Sequence, residues 1–320
     1  MDLDVLFVGT AGSAPTARRG LPATLVRRGG ERLLFDCGEG TQRQLLRSGG
    51  LLDLEEVFLT HFHADHILGL PGMLRTFGLR GREKVLTIYG PPGLRKLAGD
   101  LDPLGGRPKF PVDWIELAAN DELERDGYSI AAFKVPHRGL AYGYALVEKE
   151  RLGRFDEARA IELGVRPGPD FGRLHRGEPV QGSAGEVRPE QVVGEARPGR
   201  KVVLAGDGRP SEMTVAVAHG ADLLVHEATF GDEDAEIAVD RRHSTAREAA
   251  EVAREAEVRL LALTHVSARS APRALLDEAT AVFERTILPR DFDRVEIPFA
   301  ERGEPVHVRR EDAKPPERQQ

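Results

Sequence analysis

Four nitrogen and oxygen donors crowd into six residues of this chain, in Thr60-His61-Phe62-His63-Ala64-Asp65-His66. The run leaves a stretch that reads as a strand, 56–60, and heads into a helical pattern at 67–79. Alternate side chains of an extended segment share a face, so His61 and His63 point the same way at the strand's end. Asp65 and His66 then turn with the chain as the helix begins. This donor density suits Zn²⁺ or Mn²⁺ and exceeds what one mononuclear site needs. The bland alternative is a surface histidine cluster with Asp65 capping the helix, but four ligands at one strand terminus rarely coincide by chance.

One loop cannot complete two metal sites, so further donors are expected at the ends of other strands. Three positions qualify: His137 in Val135-Pro136-His137, Asp207 in Ala205-Gly206-Asp207-Gly208, and His265 in Thr264-His265-Val266. Singly, each has an ordinary reading, since a lone His is often a satisfied polar group and Asp-Gly is a common turn. All three follow a hydrophobic strand, and that repetition carries the argument.

The elements that must hold these residues are legible from periodicity. Strands are predicted at 4–8, 23–28, 33–36, 56–60 and 84–89, with helices at 39–47 and 67–79. The stretch 112–147 reads as strand throughout, most clearly at 128–135 and 142–147. A second half repeats the alternation, with strands at 201–205, 223–226 and 260–264 and helices at 211–219, 244–255 and 272–284. Two strand-rich halves with helices outside imply an α/β fold of two sheets packed face to face between helical layers. The stretch 148–198 breaks the rhythm, with one helical pattern at 155–163, a Pro/Gly passage at Pro167-Gly168-Pro169 and few apolar residues. It reads as an inserted, protruding arm, because long excursions of this kind are usually functional or mobile. The charged end, 309–320, reads as a disordered tail, which leaves 1–308 as the domain.

Composition narrows the classes. The 320 residues are 40% hydrophobic and 30% charged, enough to bury a sizeable core. No run of about 18 apolar residues occurs, and the start Met1-Asp2-Leu3-Asp4 is acidic where a secretory signal is basic, so neither membrane insertion nor export is expected. Cys37 is the single cysteine, which excludes disulfides and Cys-based zinc fingers and suits a cytoplasmic location. The net charge of −7 offers nucleic acid no general attraction, so such a substrate would need a local basic patch. From 149 to 176 there are seven Lys and Arg against five Asp and Glu, with His175 adding to the basic character.

Several stretches together resemble the metallo-β-lactamase superfamily and, within it, the tRNA 3′-processing endonucleases of the ribonuclease Z family. They are the His61-x-His63-x-Asp65-His66 run, Phe35-Asp36-Cys37-Gly38-Glu39-Gly40-Thr41, His226-Glu227-Ala228-Thr229-Phe230, His243-Ser244-Thr245-Ala246 and Thr264-His265. Pro167-Gly168-Pro169 with Gly172-Arg173-Leu174 is similar to the family's tRNA-holding arm. The resemblance implies an αββα sandwich with two Zn²⁺ per subunit, Mn²⁺ being the alternative. His61, His63 and His137 would hold one ion, Asp65, His66 and His265 the other, and Asp207 would bridge them. A carboxylate has two oxygens and can span two cations, whereas imidazole normally offers one nitrogen to each. Asp65 is further implied as the proton acceptor for the attacking water, and His243, supported by Glu227, as the group that protonates the leaving oxygen. The implied reaction removes the 3′ trailer from precursor tRNA, leaving a 3′-hydroxyl on the tRNA and a 5′-phosphate on the trailer. A homodimer is implied as well.

Two departures from the family pattern stand out. The loop after the first strand reads Pro15-Thr16-Ala17-Arg18-Arg19-Gly20 where relatives that stop before a CCA end often carry Pro-x-Lys-x-Arg-Asn, leaving Arg18 and Arg19 to meet phosphate. Ser270-Ala271 stands where an aromatic residue is common. The rival readings are a dinuclear hydrolase of a small phosphodiester or other ester, and a non-catalytic metal- or RNA-binding protein, whose signature would be a missing ligand; none is missing.

Overall fold

A computed structural model describes residues 1–48 and 54–310. The apolar runs form two mixed sheets stacked face to face. In the first, the order is Val306–Val308, Arg294–Glu296, Leu3–Gly9, Ala23–Arg28, Glu31–Phe35, Glu56–Phe58, Leu86–Gly90 and Val112–Glu116. The second runs Thr286–Ile287, Leu261–Thr264, Leu223–Glu227, Lys201–Leu204, Tyr142–Glu148, Tyr128–Lys134 and Glu122–Arg125. Glu31–Phe35 and Glu56–Phe58 are parallel, as are Lys201–Leu204, Leu223–Glu227 and Leu261–Thr264. Parallel strands bring their carboxyl ends to one edge, where the loops that follow can converge on a site.

Between the sheets lies a core in which Phe7, Phe35, Phe58, Tyr89, Tyr128 and Tyr144 are all buried. Phe58 stacks on Phe35 at 5.0 Å between centroids and on Tyr89 at 4.8 Å, while Tyr144 meets its edge at 5.5 Å. Such aromatic pairs add about 0.5–1.5 kcal/mol each beyond burial. Two hydrogen bonds cross from the second sheet to the exit of strand Glu56–Phe58: the Tyr144 hydroxyl donates to the Leu59 carbonyl at 2.7 Å, and the Tyr142 amide to the Thr60 carbonyl at 2.9 Å. They fix the start of the histidine-rich loop. Helices Thr41–Ser48, Gly69–Leu79 and Leu94–Gly105 cover the first sheet. Glu212–Ala218, Ala246–Glu255 and Pro272–Thr280 cover the second, the middle one through fully buried Ala246, Ala249, Ala250 and Ala253.

Connectivity departs from the division into halves. The last two strands return to the first sheet beside Leu3–Gly9, and the 122–148 strands belong to the second. Outside the 148–198 stretch, two helices escape the periodicity reading. Leu94–Gly105 carries Gly99, Pro103 and Gly105 and buries only Leu94 and Leu101, so its apolar stripe is faint. Ala235–Arg241 buries only Ala238. The helix expected over 272–284 ends at Thr280. The one expected at 67–79 is preceded by a separate turn, Ala64–Ile67, which carries Asp65 and His66.

The 148–198 stretch holds more structure than its composition suggests. Helices Glu157–Glu162 and Pro169–His175 and the hairpin of Val180–Gly182 with Gly185–Val187 surround an apolar cluster of Ala160, Val165, Leu174, Val180, Val187 and Val192. These side chains lie far apart in sequence and meet only in the folded chain. Pro169 opens a helix at its first turn, where the missing N–H costs nothing, so the Pro/Gly passage starts an element instead of breaking one. The tail expected at 309–320 lies, from residue 311 on, outside the described residues. Among the described residues no helix is long and apolar enough to cross a membrane.

Candidate metal centre

All seven expected ligands come together at the carboxyl edge of the two sheets. His61, His63 and His137 form one group whose donor atoms lie within 4.8 Å of one another; Asp65, His66 and His265 form another. Asp207 stands between, its Oδ2 at 3.0 Å from His265 Nε2, 3.2 Å from His66 Nε2 and 4.0 Å from His61 Nε2. His137 Nε2 faces His63 Nδ1 at 3.2 Å. Asp65 Oδ2 accepts the Ser13 amide at 2.8 Å and lies 3.3 Å from His265 Nε2.

Outer hydrogen bonds decide which nitrogen each ring turns inward. His137 Nδ1 donates to the Arg242 carbonyl at 2.9 Å, and His66 Nδ1 to Asp36 Oδ2 at 2.8 Å, so in the neutral form of either ring the lone pair lies on Nε2. The Thr60 hydroxyl donates to Asp36 at 3.0 Å and accepts from His61 Nδ1 at 2.9 Å. Across the site, the Thr229 hydroxyl donates to Glu227 Oε2 at 2.5 Å and accepts from His265 Nδ1 at 2.8 Å. Four imidazoles thereby present Nε2 to the cluster. His61 Nε2 is buried and, among the described residues, has no hydrogen-bond partner, a costly state for a nitrogen unless a cation meets its lone pair. The donor set therefore fits divalent cations of the imidazole-and-carboxylate class.

Electrostatics point the same way. Burial lowers His61 well below the usual imidazole range, with neighbouring His66 adding to the effect, and burial likewise lowers His63 and His137. Neutral imidazole is the form that binds metal. Burial would lower His66 too, but Asp207 and Asp36 outweigh it and lift its pKa well above the ordinary value. Burial would raise Asp65 and Asp207; the hydrogen bond from His265 and the charge of His66 overcome it at Asp65, and the His265 and His66 charges at Asp207, holding both carboxyls well below the carboxylate range. Clustered carboxylates that draw protons onto their imidazole neighbours are short of positive charge.

His243 and Glu227 adjoin this cluster. His243 Nδ1 donates to Glu227 Oε1 at 2.9 Å, and that carboxylate also accepts the Gly208 amide at 2.7 Å. Burial lowers His243, yet Glu227 outweighs it and raises the pKa above the ordinary value. The helix that follows is capped by Thr245, whose side chain and that of Glu248 form a capping box, so His243 is free of that duty. Glu227 serves His243 directly and His265 through Thr229. Arg209 ties the loop of Asp207 to that of His243, donating to the His243 carbonyl at 2.8 Å and pairing with Glu248.

Asp36, Thr60, Thr229, Arg209 and the Arg242 carbonyl escaped the sequence reading as positioning groups. Asp36 and Thr229 each follow a hydrophobic strand as the ligands do, and that rule could have found them. Asp36 and His265 adopt left-handed backbone conformations, at φ 61° and 57°, a strain of about 1–3 kcal/mol each that the site imposes. Gly12 must lack a side chain, because a Cβ there would stand 2.3 Å from His265 Nδ1. Two expectations about basic residues change. Arg19 turns inward onto Thr10 Oγ1 at 2.6 Å and the Pro289 carbonyl at 2.7 Å, which leaves Arg18 as the exposed arginine of that loop. His175 binds the Gly153 carbonyl at 3.0 Å and braces the arm internally. Ser270 donates to the Thr229 carbonyl at 3.0 Å.

Residues 19–265 match the Metallo-beta-lactamase superfamily. The chain is 50% identical over 307 residues to Ribonuclease Z of Haloferax volcanii, covering 94% of this chain and 97% of that protein. Identity to Ribonuclease Z of Gemmatimonas aurantiaca is 49% over 307 residues, covering 94% of this chain and 98% of the relative. The crystal structure of human tRNase Z, short form, superposes with a TM-score of 0.66 at 28% identity, covering 92% of this chain and 99% of that one.

Proposed function

From the premise that the chain belongs to the metallo-β-lactamase superfamily and, within it, to the ribonuclease Z family, we propose a zinc-dependent endoribonuclease that removes the 3′ trailer from precursor tRNA. One observation carries the reading: five imidazoles and two aspartates converge, and among them the buried His61 Nε2 has no hydrogen-bond partner among the described residues. His61, His63 and His137 would hold one divalent cation, Asp65, His66 and His265 a second, and Asp207 would reach both. When bound, such a pair lowers the pKa of a shared water and offsets charge on the phosphoryl oxygens.

The protein's own groups supply the rest. Asp65 is held ionised and takes the proton of the attacking water, while the Ser13 amide fixes its Oδ2. Glu227 orients His243 and favours its protonated form, in which Nε2–H delivers a proton to the leaving 3′-oxygen. The 148–198 stretch acts as the RNA-holding arm, with Arg166 and Arg176 exposed on it. A phosphate backbone is bound through charge and shape, which a local basic element on an acidic body can provide. Two Zn²⁺ per subunit with Mn²⁺ as the alternative, a homodimer and a cytoplasmic setting complete the reading.

The test is incubation of Zn²⁺-loaded protein with 3′-extended precursor tRNA, with and without an encoded CCA, followed by mapping of both new ends. A 3′-hydroxyl on the tRNA and a 5′-phosphate on the trailer are expected. Hydrolysis of bis(p-nitrophenyl) phosphate without any tRNA cleavage would favour a small-ester hydrolase instead.

A further inference from the structure

The arm leaves and re-enters the body between Arg151 and Arg197, whose backbones exchange two hydrogen bonds of 2.8 Å in an isolated antiparallel bridge. Both guanidinium groups reach one carboxylate. Arg151 binds Glu301 with two parallel bonds, Nη1 to Oε1 at 2.9 Å and Nη2 to Oε2 at 3.0 Å, and Arg197 Nη1 joins at Oε1 at 3.1 Å. Glu301 belongs to the 3₁₀ turn Ala300–Arg302, close to the end of the domain and about 100 to 150 residues away along the chain. Phe299, the residue before that turn, lies under the Arg151 guanidinium at 3.5 Å from its ring centroid and under that of Arg200 at 4.2 Å. Arg200 is buried against Glu148, the last residue of the strand that feeds the arm, at 2.7 Å.

A paired fork, a shared carboxylate and a cation over an aromatic face each restrict direction as well as distance. Among the described residues Arg151 Nε is buried without a hydrogen-bond partner, so that guanidinium is set by the ring, the carboxylate and a bond from Nη2 to the Pro198 carbonyl at 3.2 Å. The hydrogen bonds from Arg151, together with Glu301's own backbone, hold the Glu301 carboxyl down at about 2. Both legs of the arm are thus fastened to a single C-terminal turn.

We propose that Glu301, together with Phe299, is a positioning residue that sets the direction of the arm and thereby the affinity for an RNA gripped at the arm and the metal centre at once. The inference rests on the reading of 148–198 as an RNA-holding element. Two-point binding gains an effective concentration that is greatest when the span between the points matches the substrate, so a loosened arm weakens the long substrate and leaves a small one alone.

The test compares Glu301→Gln and Glu301→Ala with the parent protein in two measurements. In the first, KM for precursor tRNA rises about three- to tenfold, while kcat and turnover of bis(p-nitrophenyl) phosphate stay unchanged. In the second, spin labels on Arg166→Cys in the arm and Glu122→Cys in the body report a broadened distance distribution, without any RNA. Unchanged distances overturn the clamp, whatever the kinetics. Equal losses on both substrates also overturn it, since they mark damage to the metal centre. Broadened distances with unchanged KM leave the clamp standing and overturn the arm as the RNA-holding element.

Discussion

The hydroxyls of Thr60 and Thr229 occupy equivalent places on opposite flanks of the metal centre. Each donates to a buried carboxylate, Asp36 or Glu227, and accepts from the Nδ1 of a cluster histidine, His61 or His265. Each carboxylate also receives a second imidazole directly, His66 on Asp36 and His243 on Glu227. Two four-member relays therefore fix four rings, three of which, His61, His66 and His265, belong to the candidate metal cluster. The fourth, His243, is the proposed acid.

Thr229→Val keeps the side chain's shape and deletes the hydroxyl that holds His265. Metal affinity is expected to fall about 10- to 100-fold, the usual cost of losing an outer-shell partner, with activity recovered at high Zn²⁺. Thr229→Ser should restore the parent affinity. Competition titration against a zinc chelator measures both; equal affinity in the Val variant would remove the relay from the account.

His243→Ala should slow turnover by about 10²–10⁴ with both metals retained, as read by elemental analysis. The sign of the pH effect follows from the raised pKa of His243. The protonated acid is the active form, so the rate of the parent falls as pH rises through that pKa, and the variant lacks this alkaline limb. Loss of metal in the variant would instead make His243 a ligand.

Glu148 is buried between Arg200 at 2.7 Å and Arg28 at 2.9 Å. Glu148→Gln leaves the buried Arg200 without a carboxylate and Arg28 with only the exposed Glu31 at 3.3 Å, and is expected to cost about 3–5 kcal/mol in denaturant unfolding at neutral pH. Burial raises the Glu148 pKa, but the hydrogen bonds from Arg200 and Arg28 hold it below 4.5. Its contribution is therefore fully present above that value and fades as pH falls through the folded-state pKa. The difference between parent and variant should shrink in acid; a pH-independent gap would contradict the ion pairing.

Phe155 and Val193 already face each other across an isolated bridge, so residues 156–192 can be replaced by a short Gly/Ser link without spreading the ends. The shortened protein loses the arm's own apolar cluster and leaves the three main clusters intact. Cleavage of precursor tRNA should disappear while hydrolysis of bis(p-nitrophenyl) phosphate continues. Retained tRNA cleavage would detach the arm from substrate binding.

Local order along the chain was enough to single out the candidate donors and the strands that end in them. His61, His63, Asp65 and His66 announce themselves by spacing, and His137, Asp207 and His265 by following apolar runs, because burial forces strand periodicity into the sequence. The layering of helices on two sheets was legible for the same reason. What only the tertiary structure decided lies between residues far apart in the chain. The pairing of Asp36 with Thr60 and His66, the inward turn of Arg19, the arm's scattered core and the fastening of its legs by Glu301 leave no periodic trace. Each depends on one side chain's direction in a packed fold, and a single hydrogen bond constrains the identity of a residue without patterning its neighbours.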